Sequence, residues 1–236
     1  MVHQVTQFDR MHSVTSKLSC IQDTRLWDLA AATPWILLCG FGALGFGVSI
    51  YGQWPPRSGF PDGLLIISEV SGAAFMLFQS GLLCIRHLPV SKAAGIAPRF
   101  WAFAAVHFSL LILLIPKATP TPAGALVSSM LTLVGTAGGI CTLMWLGKAL
   151  AMLPQARVLV TTGPYKLVRH PLYLAEQISA FGVALQFQQP WGILIVLTSF
   201  VFQLPRMHCE EEILEASFPG YRAYAIHRAR IIPLLY

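Results

Sequence analysis

Charged residues are scarce in this sequence, and their scarcity excludes an ordinary soluble domain. Asp, Glu, Lys and Arg account for 11% of the 236 residues, whereas soluble domains carry roughly 25%. Hydrophobic residues account for 55%, and the mean hydropathy is +0.63. The composition therefore predicts an all-α fold, a polytopic membrane helical bundle.

Two short patterns are also missing. The five cysteines include no Cys-x-x-Cys pair, which argues against both a disulfide framework and a zinc site, so no metal is predicted. No short apolar core follows a basic N-terminus, and a cleaved secretory signal is therefore not expected.

Apolar stretches long enough to cross a bilayer, which takes roughly 20 residues, recur along the chain. Four predicted transmembrane helices lie at about residues 29–56, 63–85, 99–115 and 123–146. Residues 177–205 are again uncharged, and the polar stretch Gln186–Pro190 in their middle predicts a turn. The two arms of this hairpin have roughly 16 to 19 residues each. The sequence therefore predicts about six transmembrane helices.

This topology divides the basic residues unevenly. Of the 16 Lys and Arg residues, 14 fall on one side of six spans, and only Arg57 and Lys117 fall on the other. Cytoplasmic loops carry an excess of Lys and Arg, so both termini and the polar centre of the chain are predicted to face the cytoplasm. The net charge of +6 then reflects topology, and no nucleic-acid partner is predicted.

Polar residues within the predicted spans have competing interpretations. Glu69 lies close to the start of a span, where a carboxylate can be protonated, reach the interface or serve a function. His107 lies near the centre of a span without a partner motif, and we interpret it as structural.

The small residues of the first span predict close packing of another helix against it. They are Gly40, Gly42, Gly45 and Gly47.

Two polar clusters flank the last predicted hairpin. The first polar cluster, residues 161–173, contains Gly163-Pro-Tyr165 and Arg169-His170-Pro171-Leu172-Tyr173; the second, residues 206–212, begins at Arg206. Tyr173 and Arg206 are 33 residues apart, but a hairpin that crosses and recrosses the bilayer returns them to the same side. The sequence therefore predicts one site from the two clusters.

These motifs, in this order around an apolar hairpin, resemble the isoprenylcysteine carboxyl methyltransferase family, which includes relatives of the phospholipid N-methyltransferases. The resemblance covers about residues 145–233. It implies a bacterial-type enzyme of the inner membrane that transfers the methyl group of S-adenosylmethionine to a lipophilic or membrane-associated acceptor. Residues 1–28 would be a cytoplasmic N-terminal tail, residues 29–146 transmembrane helices 1 to 4, and residues 147–236 the catalytic region, with a cofactor loop, a helical hairpin and a C-terminal helix.

The resemblance also implies roles for individual residues. Arg206 matches a catalytic, substrate-side position. The implied cofactor contacts are Gln155, Arg157, Val158, Leu159, Val160, Tyr165, His170, Pro171, Leu172, Tyr173 and Glu210. Glu176, one turn into the hairpin where a charge is costly, is a second substrate-side candidate by its position. The other acidic residues after Arg206 are expected on a solvated or interfacial face. They are Glu211, Glu212 and Glu215.

A carboxylate acceptor is favoured, because it needs no base and Arg206 could hold it through a bidentate pair. A phospholipid amine or a thiol would first lose a proton, for which His170 and Glu176 are candidates. Two departures from the family's pattern leave the acceptor open. Ala175 stands where a glycine is common, and Phe218-Pro-Gly-Tyr221 is one residue shorter than the usual motif.

The expected partners are membrane lipids, a lipophilic acceptor that enters sideways from the bilayer, and a second copy of the chain. Two other functions stay open. An NADPH-dependent membrane reductase would use the basic residues of the first polar cluster for the 2′-phosphate of its cofactor. A non-catalytic channel or transporter subunit would have Glu69, His107 and Glu176 as its interior polar groups.

Overall fold

The computed structural model describes residues 25–55, 60–119 and 121–232. Their regular structure is almost entirely helical, which confirms the all-α prediction. The α-helices of this part of the chain are α1 (Arg25–Gln53), α2 (Phe60–Ile85), α3 (Ala97–Ser109), α4 (Pro122–Leu146), α5 (Pro171–Ala184), α6 (Trp191–Ser217) and α7 (Tyr221–Ile226). Two short strands, β1 (Ser91–Lys92) and β2 (Gln155–Ala156), pair antiparallel.

Five helices of the described residues are long and apolar enough to cross a membrane. The first four agree with the predicted spans within a few residues, and a 3₁₀ turn over Leu110–Leu114 prolongs α3. The fifth is α6, which continues through Pro205 to Ser217. A proline removes one helical hydrogen bond but is tolerated in membrane helices, where neighbouring groups satisfy the freed carbonyl. The predicted helical membrane bundle is thus confirmed, with a longer final helix than expected.

The remaining predicted span, α5, is shorter than expected. It has 14 residues, about 21 Å at 1.5 Å per residue, because it starts at Pro171 and the chain turns at residues 185–190. It nevertheless reaches the far end of the bundle, where the backbone N–H of Ala118 donates to Gln186 O over 2.9 Å. The turn of the hairpin therefore lies beside the α3–α4 connection, as the six-span topology requires.

The other loops meet at the opposite end of the bundle, which we call the site end. Here β1 pairs with β2, and the backbone N–H of His87 donates to Lys148 O over 2.8 Å. The backbone N–H of Arg169 donates to Ala229 O over 2.9 Å. The site end thus gathers the α2–α3 connection, the α4–α5 connection and the segment after α7, the loops that the sequence assigns to one side.

Small residues set the distance between α4 and α5. A Cβ added at Gly135 of α4 would lie 2.3 Å from the backbone nitrogen of Ser179, so only glycine allows this approach. The Ser128 hydroxyl of α4 also donates a 2.7 Å hydrogen bond to Gly182 O of α5. Such close contacts stabilise helix pairs in lipid, where there is no hydrophobic driving force between helices. They hold α5 firmly along α4.

The glycines of α1 behave differently. Nothing lies within 4 Å of a Cβ built at three of them, Gly40, Gly45 and Gly47. The predicted close helix packing at these three positions is wrong within the chain, because α1 turns Phe46 and Ser49 towards α2 instead. The fourth glycine, Gly42, does face α2, where an added Cβ would lie 3.6 Å from Met76 Sδ.

The two polar residues singled out within the early spans both have local partners. Glu69 is buried and accepts hydrogen bonds from Ser49 Oγ over 2.8 Å and from Gln53 Nε2 over 2.9 and 3.0 Å. This network joins α2 to α1 and favours the structural interpretation of Glu69. The His107 ring stacks on Phe103 with a centroid distance of 3.5 Å, which agrees with a structural role.

Candidate active site

A cavity lies at the site end between the α4–α5 connection, α5, α6 and α7. Every predicted site residue except Pro171 lines it, so the structure brings together the two polar clusters and the loop around Arg157. Pro171 instead occupies the first position of α5, where its fixed φ suits a helix start. It thereby places His170 just before α5 and Tyr173 within its first turn.

Tyr173 and the second polar cluster meet across the hairpin. The Tyr173 hydroxyl donates a 2.5 Å hydrogen bond to Glu210 Oε1. Arg206 Nε lies 3.4 Å from the same oxygen and forms an ion pair with it. The geometry of this pair is not that of a hydrogen bond, so Nε has no hydrogen-bond partner among the described residues. The Arg206 guanidinium also lies over the Tyr173 ring, 4.9 Å from its centroid, within cation–π distance.

Protein groups already engage Arg206. Its Nη2 donates a 3.0 Å hydrogen bond to Met152 O, and its side chain is 4% exposed. The cation is therefore shared between a backbone carbonyl, the Glu210 carboxylate and the Tyr173 ring. Arg206 orders the interior of the cavity before any ligand binds.

His170 is held by an acid that the sequence analysis placed elsewhere. Its Nε2 lies 3.0 Å from Glu211 Oε1, and Glu211 Oε2 lies 3.0 Å from Arg169 Nη1 and 2.7 Å from Arg230 Nη2. The expectation of a solvated Glu211 is therefore wrong, because α6 turns this carboxylate into a cluster of three basic side chains. Glu212 and Glu215, with 64% and 56% of their side chains exposed, lie on the surface as expected.

The segment from α7 onward covers the first polar cluster. The Tyr224 hydroxyl of α7 donates a 2.7 Å hydrogen bond to Tyr165 O. Burial raises the pKa of Tyr224 to about 12. Burial, with Glu210 next in size, raises the pKa of Tyr165 far above its usual range. Both hydroxyls therefore stay protonated at neutral pH. The Tyr224 hydroxyl is engaged by Tyr165 O, and both side chains line the cavity.

Gly163 shapes the start of this cluster. Its φ of +59° lies in the left-handed region, which L side chains rarely adopt. A Cβ there would also lie 2.3 Å from the Trp145 ring. Glycine therefore lets the chain turn tightly against α4 just before Tyr165.

A buried ion cluster outside the cavity holds the loop that contains Arg157. Arg157 Nη2 donates to Asp28 Oδ1 over 2.7 Å and to Gln155 Oε1 over 2.7 Å. Arg86 Nε donates to Asp28 Oδ2 over 2.8 Å, and Asp28 is 5% exposed. Arg157 was expected to contact the cofactor, but its guanidinium ends are bound to α1 and to its own loop.

Asp28 also revises the start of the first helix. α1 begins at Arg25, so residues 25–28 of the expected N-terminal tail are helical and end in a buried carboxylate. The rest of that tail, residues 1–24, lies outside the described residues. The first helix therefore contributes directly to the support of the site end.

Glu176 lines the cavity at the end nearer to the bundle centre. It lies between one and two turns into α5, and its carboxyl faces Gln79 of α2, Arg206 and Glu210. Gln79 is buried, and its Nε2 lies 3.9 Å from Met152 Sδ. The only sequence signal for Gln79 was a polar residue within an apolar span, and Gln79 was not predicted as a site residue.

Two tyrosines of the cavity wall were also missed as site residues. Tyr221 and Tyr224 line the cavity from α7, and Tyr221 is 3% exposed. The shortened Phe218-Pro-Gly-Tyr221 motif was the available signal. The C-terminal helix therefore forms part of the site.

Comparison with known proteins agrees with this geometry. Residues 126–220 match the model of a family described as phospholipid methyltransferase. The match begins within α4 and ends just before α7, so it contains the loop and the whole hairpin that form the cavity. It adds most of α4 to the segment that the motifs indicated.

Two curated relatives align over a 78-residue segment. This segment is 31% identical to the nickel-cobalt-cadmium resistance protein NccN of Alcaligenes xylosoxydans xylosoxydans and 30% identical to the cobalt-zinc-cadmium resistance protein CzcN of Cupriavidus metallidurans. It is 33% of this chain and 37% and 36% of the relatives, so the chain spans little more than a third of either relative's length. The family model, the motifs and the helical membrane bundle agree, and residues 126–220 form a segment that matches the phospholipid methyltransferase family.

Proposed function

We propose that this protein transfers the methyl group of S-adenosylmethionine to a lipophilic acceptor that stays in the membrane. The observation that carries the proposal is the single cavity at the site end, which joins His170 and Tyr173 to Arg206 and Glu210. The hairpin that separates these residues in sequence also brings them together. The family match over the same residues supports methyl transfer as the reaction.

The residues around the cavity fit S-adenosylmethionine chemically. Three buried guanidinium nitrogens beside it, the Nε atoms of Arg157, Arg169 and Arg206, have no hydrogen-bond partner within the described residues. Such unpaired donors are costly unless a ligand satisfies them, and a carboxylate suits them. Glu210 offers acceptors for hydroxyl or amino groups, and Tyr165 offers an aromatic face. When bound, the cofactor supplies an electrophilic methyl group.

The cavity contributes orientation and exclusion of water. Tyr173 and Arg206 are buried side chains that are already fixed by Glu210, so they need little rearrangement when ligands bind. Methyl transfer requires the donor and the nucleophile in line, and holding them so accounts for much of the rate enhancement expected.

An apolar groove beside the cavity supports an acceptor that enters from the bilayer. It measures about 500 Å³ and is lined mainly by α1 and α3, with Trp35, Phe100, Phe103 and His107 in its walls. Val106 of the same helix lines the cavity itself. The acceptor's chain would lie in the groove while its nucleophile reaches the cavity.

The sidedness of the site follows from the basic residues. We place the protein in the inner membrane with the site end towards the cytoplasm, where S-adenosylmethionine is made. The division of 14 to 2 among Lys and Arg supports this orientation. An apolar face of α1 is exposed, and it includes Phe41 (70% exposed) and Val48 (73% exposed). This face is available for lipid or for a second copy of the chain.

Methyl transfer accounts for the site better than metal binding does, although both relatives are named for metal resistance. No group of three His, Cys, Asp or Glu side chains in the described ranges could hold a metal ion. The four cysteines in this part of the chain are all free, and none lines the cavity.

Equilibrium binding tests the proposal most directly. Calorimetric titration of the purified protein in nanodiscs should show saturable binding of S-adenosylmethionine, competed by S-adenosylhomocysteine, and no binding of NADPH. Preferential binding of NADPH would support a membrane reductase instead. Binding of neither would leave a non-catalytic subunit.

Turnover against acceptors of increasing chain length tests membrane entry. Each buried CH₂ contributes roughly 0.8 kcal/mol, so kcat/KM should rise with chain length until the groove is filled. Equal turnover of a short, water-soluble acceptor would show that the acceptor arrives from the aqueous phase.

A further inference from the structure

We propose that Glu211 is a positioning residue that acts through His170. Together with Glu210, it turns His170 and Tyr173 into hydrogen-bond acceptors, so the ligand atoms that contact these two side chains are hydrogen-bond donors. The tautomer of His170 is a property of the free protein. The identity of the ligand group rests on the proposed methyltransferase function.

Two consecutive acids of α6 hold two side chains from the start of the hairpin. Glu210 Oε1 accepts a 2.5 Å hydrogen bond from the Tyr173 hydroxyl, and Glu211 Oε1 lies 3.0 Å from His170 Nε2. His170, Tyr173 and Glu210 line the cavity, whereas Glu211 is not part of its lining. Glu211 therefore reaches the cavity through the imidazole of His170.

Glu211 acts as an ionised acceptor. Its Oε2 lies 3.0 Å from Arg169 Nη1 and 2.7 Å from Arg230 Nη2, and Arg230 Nε donates to Oε1 over 3.1 Å. Two neighbouring guanidinium groups favour the charged form of a carboxylate. An ionised carboxylate has no hydrogen to donate. The hydrogen in its contact with His170 therefore belongs to Nε2.

The second ring nitrogen of His170 is then an acceptor. In a neutral imidazole, the hydrogen bond made by one nitrogen fixes the state of the other. Nδ1 has no hydrogen-bond partner within the described residues and is not one of the sealed, unpaired atoms there, so it is accessible from the cavity. The ring is also held in place, because it stacks on Tyr173 with 5.4 Å between the ring centroids and 21° between the planes.

Tyr173 is placed in the same state by Glu210. A hydroxyl has one hydrogen and two lone pairs, and Glu210 takes the hydrogen. Arg206 Nε, 3.4 Å from the same carboxylate oxygen, favours the ionised form of Glu210. The oxygen of Tyr173 can therefore only accept a further hydrogen bond. Two stacked side chains thus offer acceptors to one cavity.

These acceptors limit which part of a ligand they can contact. S-adenosylmethionine carries three kinds of N–H or O–H group, which are its ammonium group, its ribose hydroxyls and its adenine amino group. Its carboxylate has only acceptors and would leave Nδ1 of His170 unpaired. We therefore expect one of the three donor groups at His170 and Tyr173, and the carboxylate elsewhere in the cavity.

NMR of protein labelled with ¹⁵N-histidine tests the tautomer without any ligand. At pH 8, His170 should give a neutral ring with its hydrogen on Nε2, assigned by the loss of this signal in His170→Gln. His208 is the matched control, because it lies 3.3 Å from Glu212 but is 63% exposed, and its tautomers should be averaged. A hydrogen on Nδ1 of His170, alone or with one on Nε2, would overturn the inference.

The role of Glu211 is tested by the same spectrum. Glu211→Gln, recorded below its melting transition, should lose the single tautomer of His170, because an amide can both donate and accept. Glu211→Asp, which keeps the carboxylate, should retain more of it. An unchanged tautomer in Glu211→Gln would show that Glu211 does not position His170.

Two variants of His170 separate its two nitrogens in calorimetric titrations with S-adenosylhomocysteine. His170→Gln keeps a donor near the position of Nε2 but loses the acceptor, so the Kd should rise roughly two- to tenfold, the effect of one ordinary hydrogen bond. His170→Asn keeps an acceptor near the position of Nδ1, and its Kd should rise less. His208→Gln is the control and should bind as the wild type does. The reverse order of the two His170 variants would contradict the inference.

Three analogues of S-adenosylhomocysteine identify the donor. They lack the α-amino group, lack both ribose hydroxyls, or carry oxygen in place of the adenine amino group. The analogue without the true donor should bind equally to the wild type and to His170→Gln, because coupled groups do not contribute additively. Additive losses for all three would overturn the inference. If the wild type bound neither S-adenosylmethionine nor S-adenosylhomocysteine, the methyltransferase proposal would fall, while the tautomer measured without ligand would stand.

Discussion

Tyr173 and Glu210 are 37 residues apart in the chain, yet their side chains share a 2.5 Å hydrogen bond. The bond joins the first turn of α5 to the part of α6 beyond Pro205. It can form only if the hairpin closes with both ends at the same level. This contact therefore reports at once on the fold of the hairpin and on the integrity of the cavity.

Loss of Glu210 should weaken cofactor binding. A hydrogen bond to a charged group contributes about 1.5 to 3 kcal/mol, so Glu210→Ala should raise the Kd for S-adenosylmethionine roughly ten- to a hundredfold in a calorimetric titration. Glu212→Ala is the matched control, since Glu212 lies on the same helix but is 64% exposed. Equal affinities of the two variants would remove Glu210 from the binding site.

Loss of Glu211 should destabilise the protein more than loss of any exposed acid on α6. Removing one partner of a buried ion pair costs about 3 to 5 kcal/mol, and Glu211 neutralises a cluster that contains Arg169, His170 and Arg230. Glu211→Gln should therefore lower the Tm in detergent markedly. Glu215→Gln, at a 56% exposed side chain, should leave it nearly unchanged. Similar melting curves for both would contradict the buried cluster.

The contrast between Glu210 and Glu211 shows how far the sequence could be interpreted. Consecutive residues on a helix point about 100° apart, and the spacing of four residues from Arg206 favoured Glu210 as the inward acid. The partners of Glu211 come from the α4–α5 connection and from the segment after α7, which no local pattern places beside α6. Local sequence patterns therefore predict the hairpin and the acid nearest Arg206, but not the neighbouring ion cluster.

The lengths of the hairpin arms illustrate the same limit. Uncharged sequence and the polar turn at Gln186–Pro190 predicted two similar arms, and the structure has a 14-residue α5 and a 27-residue α6. Hydropathy does not mark where α6 leaves the apolar region, because the helix continues through Pro205 into polar sequence. Tertiary contacts at both ends of the bundle fix these lengths.

Close packing of α4 and α5 should depend on one glycine. Gly135→Ala places a Cβ against the Ser179 backbone, and overpacking of this kind costs about 1 to 3 kcal/mol. Gly45→Ala is the control, because nothing lies within 4 Å of the added Cβ and alanine favours helix by about 1 kcal/mol over glycine. Thermal unfolding in detergent should show a lower Tm for Gly135→Ala and an equal or higher one for Gly45→Ala. The reverse order would contradict the packing.

Truncation fusions to a paired reporter test the topology. Fusions after residues 59, 119 and 188 should report the outside, and a fusion after residue 166 should report the cytoplasm. Residue 188 is the decisive site, because α5 is short and crosses only if its turn lies beside the α3–α4 connection. A cytoplasmic signal at residue 188, with an outside signal at residue 119, would show that the hairpin does not cross.

The first helix lies outside the matched methyltransferase segment, yet it should influence the site. Asp28 neutralises both Arg86 and Arg157, and Asp28→Asn would leave two buried guanidinium groups without their carboxylate. The expected cost is about 3 to 5 kcal/mol. Part of this cost should appear as weaker binding of S-adenosylmethionine, because Arg157 belongs to the loop that lines the cavity.

Glu69→Gln separates this effect from general destabilisation of the first two helices. Glu69 is a buried acid that joins α1 to α2 near the end of the bundle away from the site. Both variants should lower the Tm, but only Asp28→Asn should raise the Kd for S-adenosylmethionine in calorimetry at a temperature well below both transitions. An unchanged Kd in Asp28→Asn would show that α1 and α2 support the bundle without positioning the loop. A raised Kd in both variants would trace the loss to helix packing rather than to the Asp28–Arg157 contact.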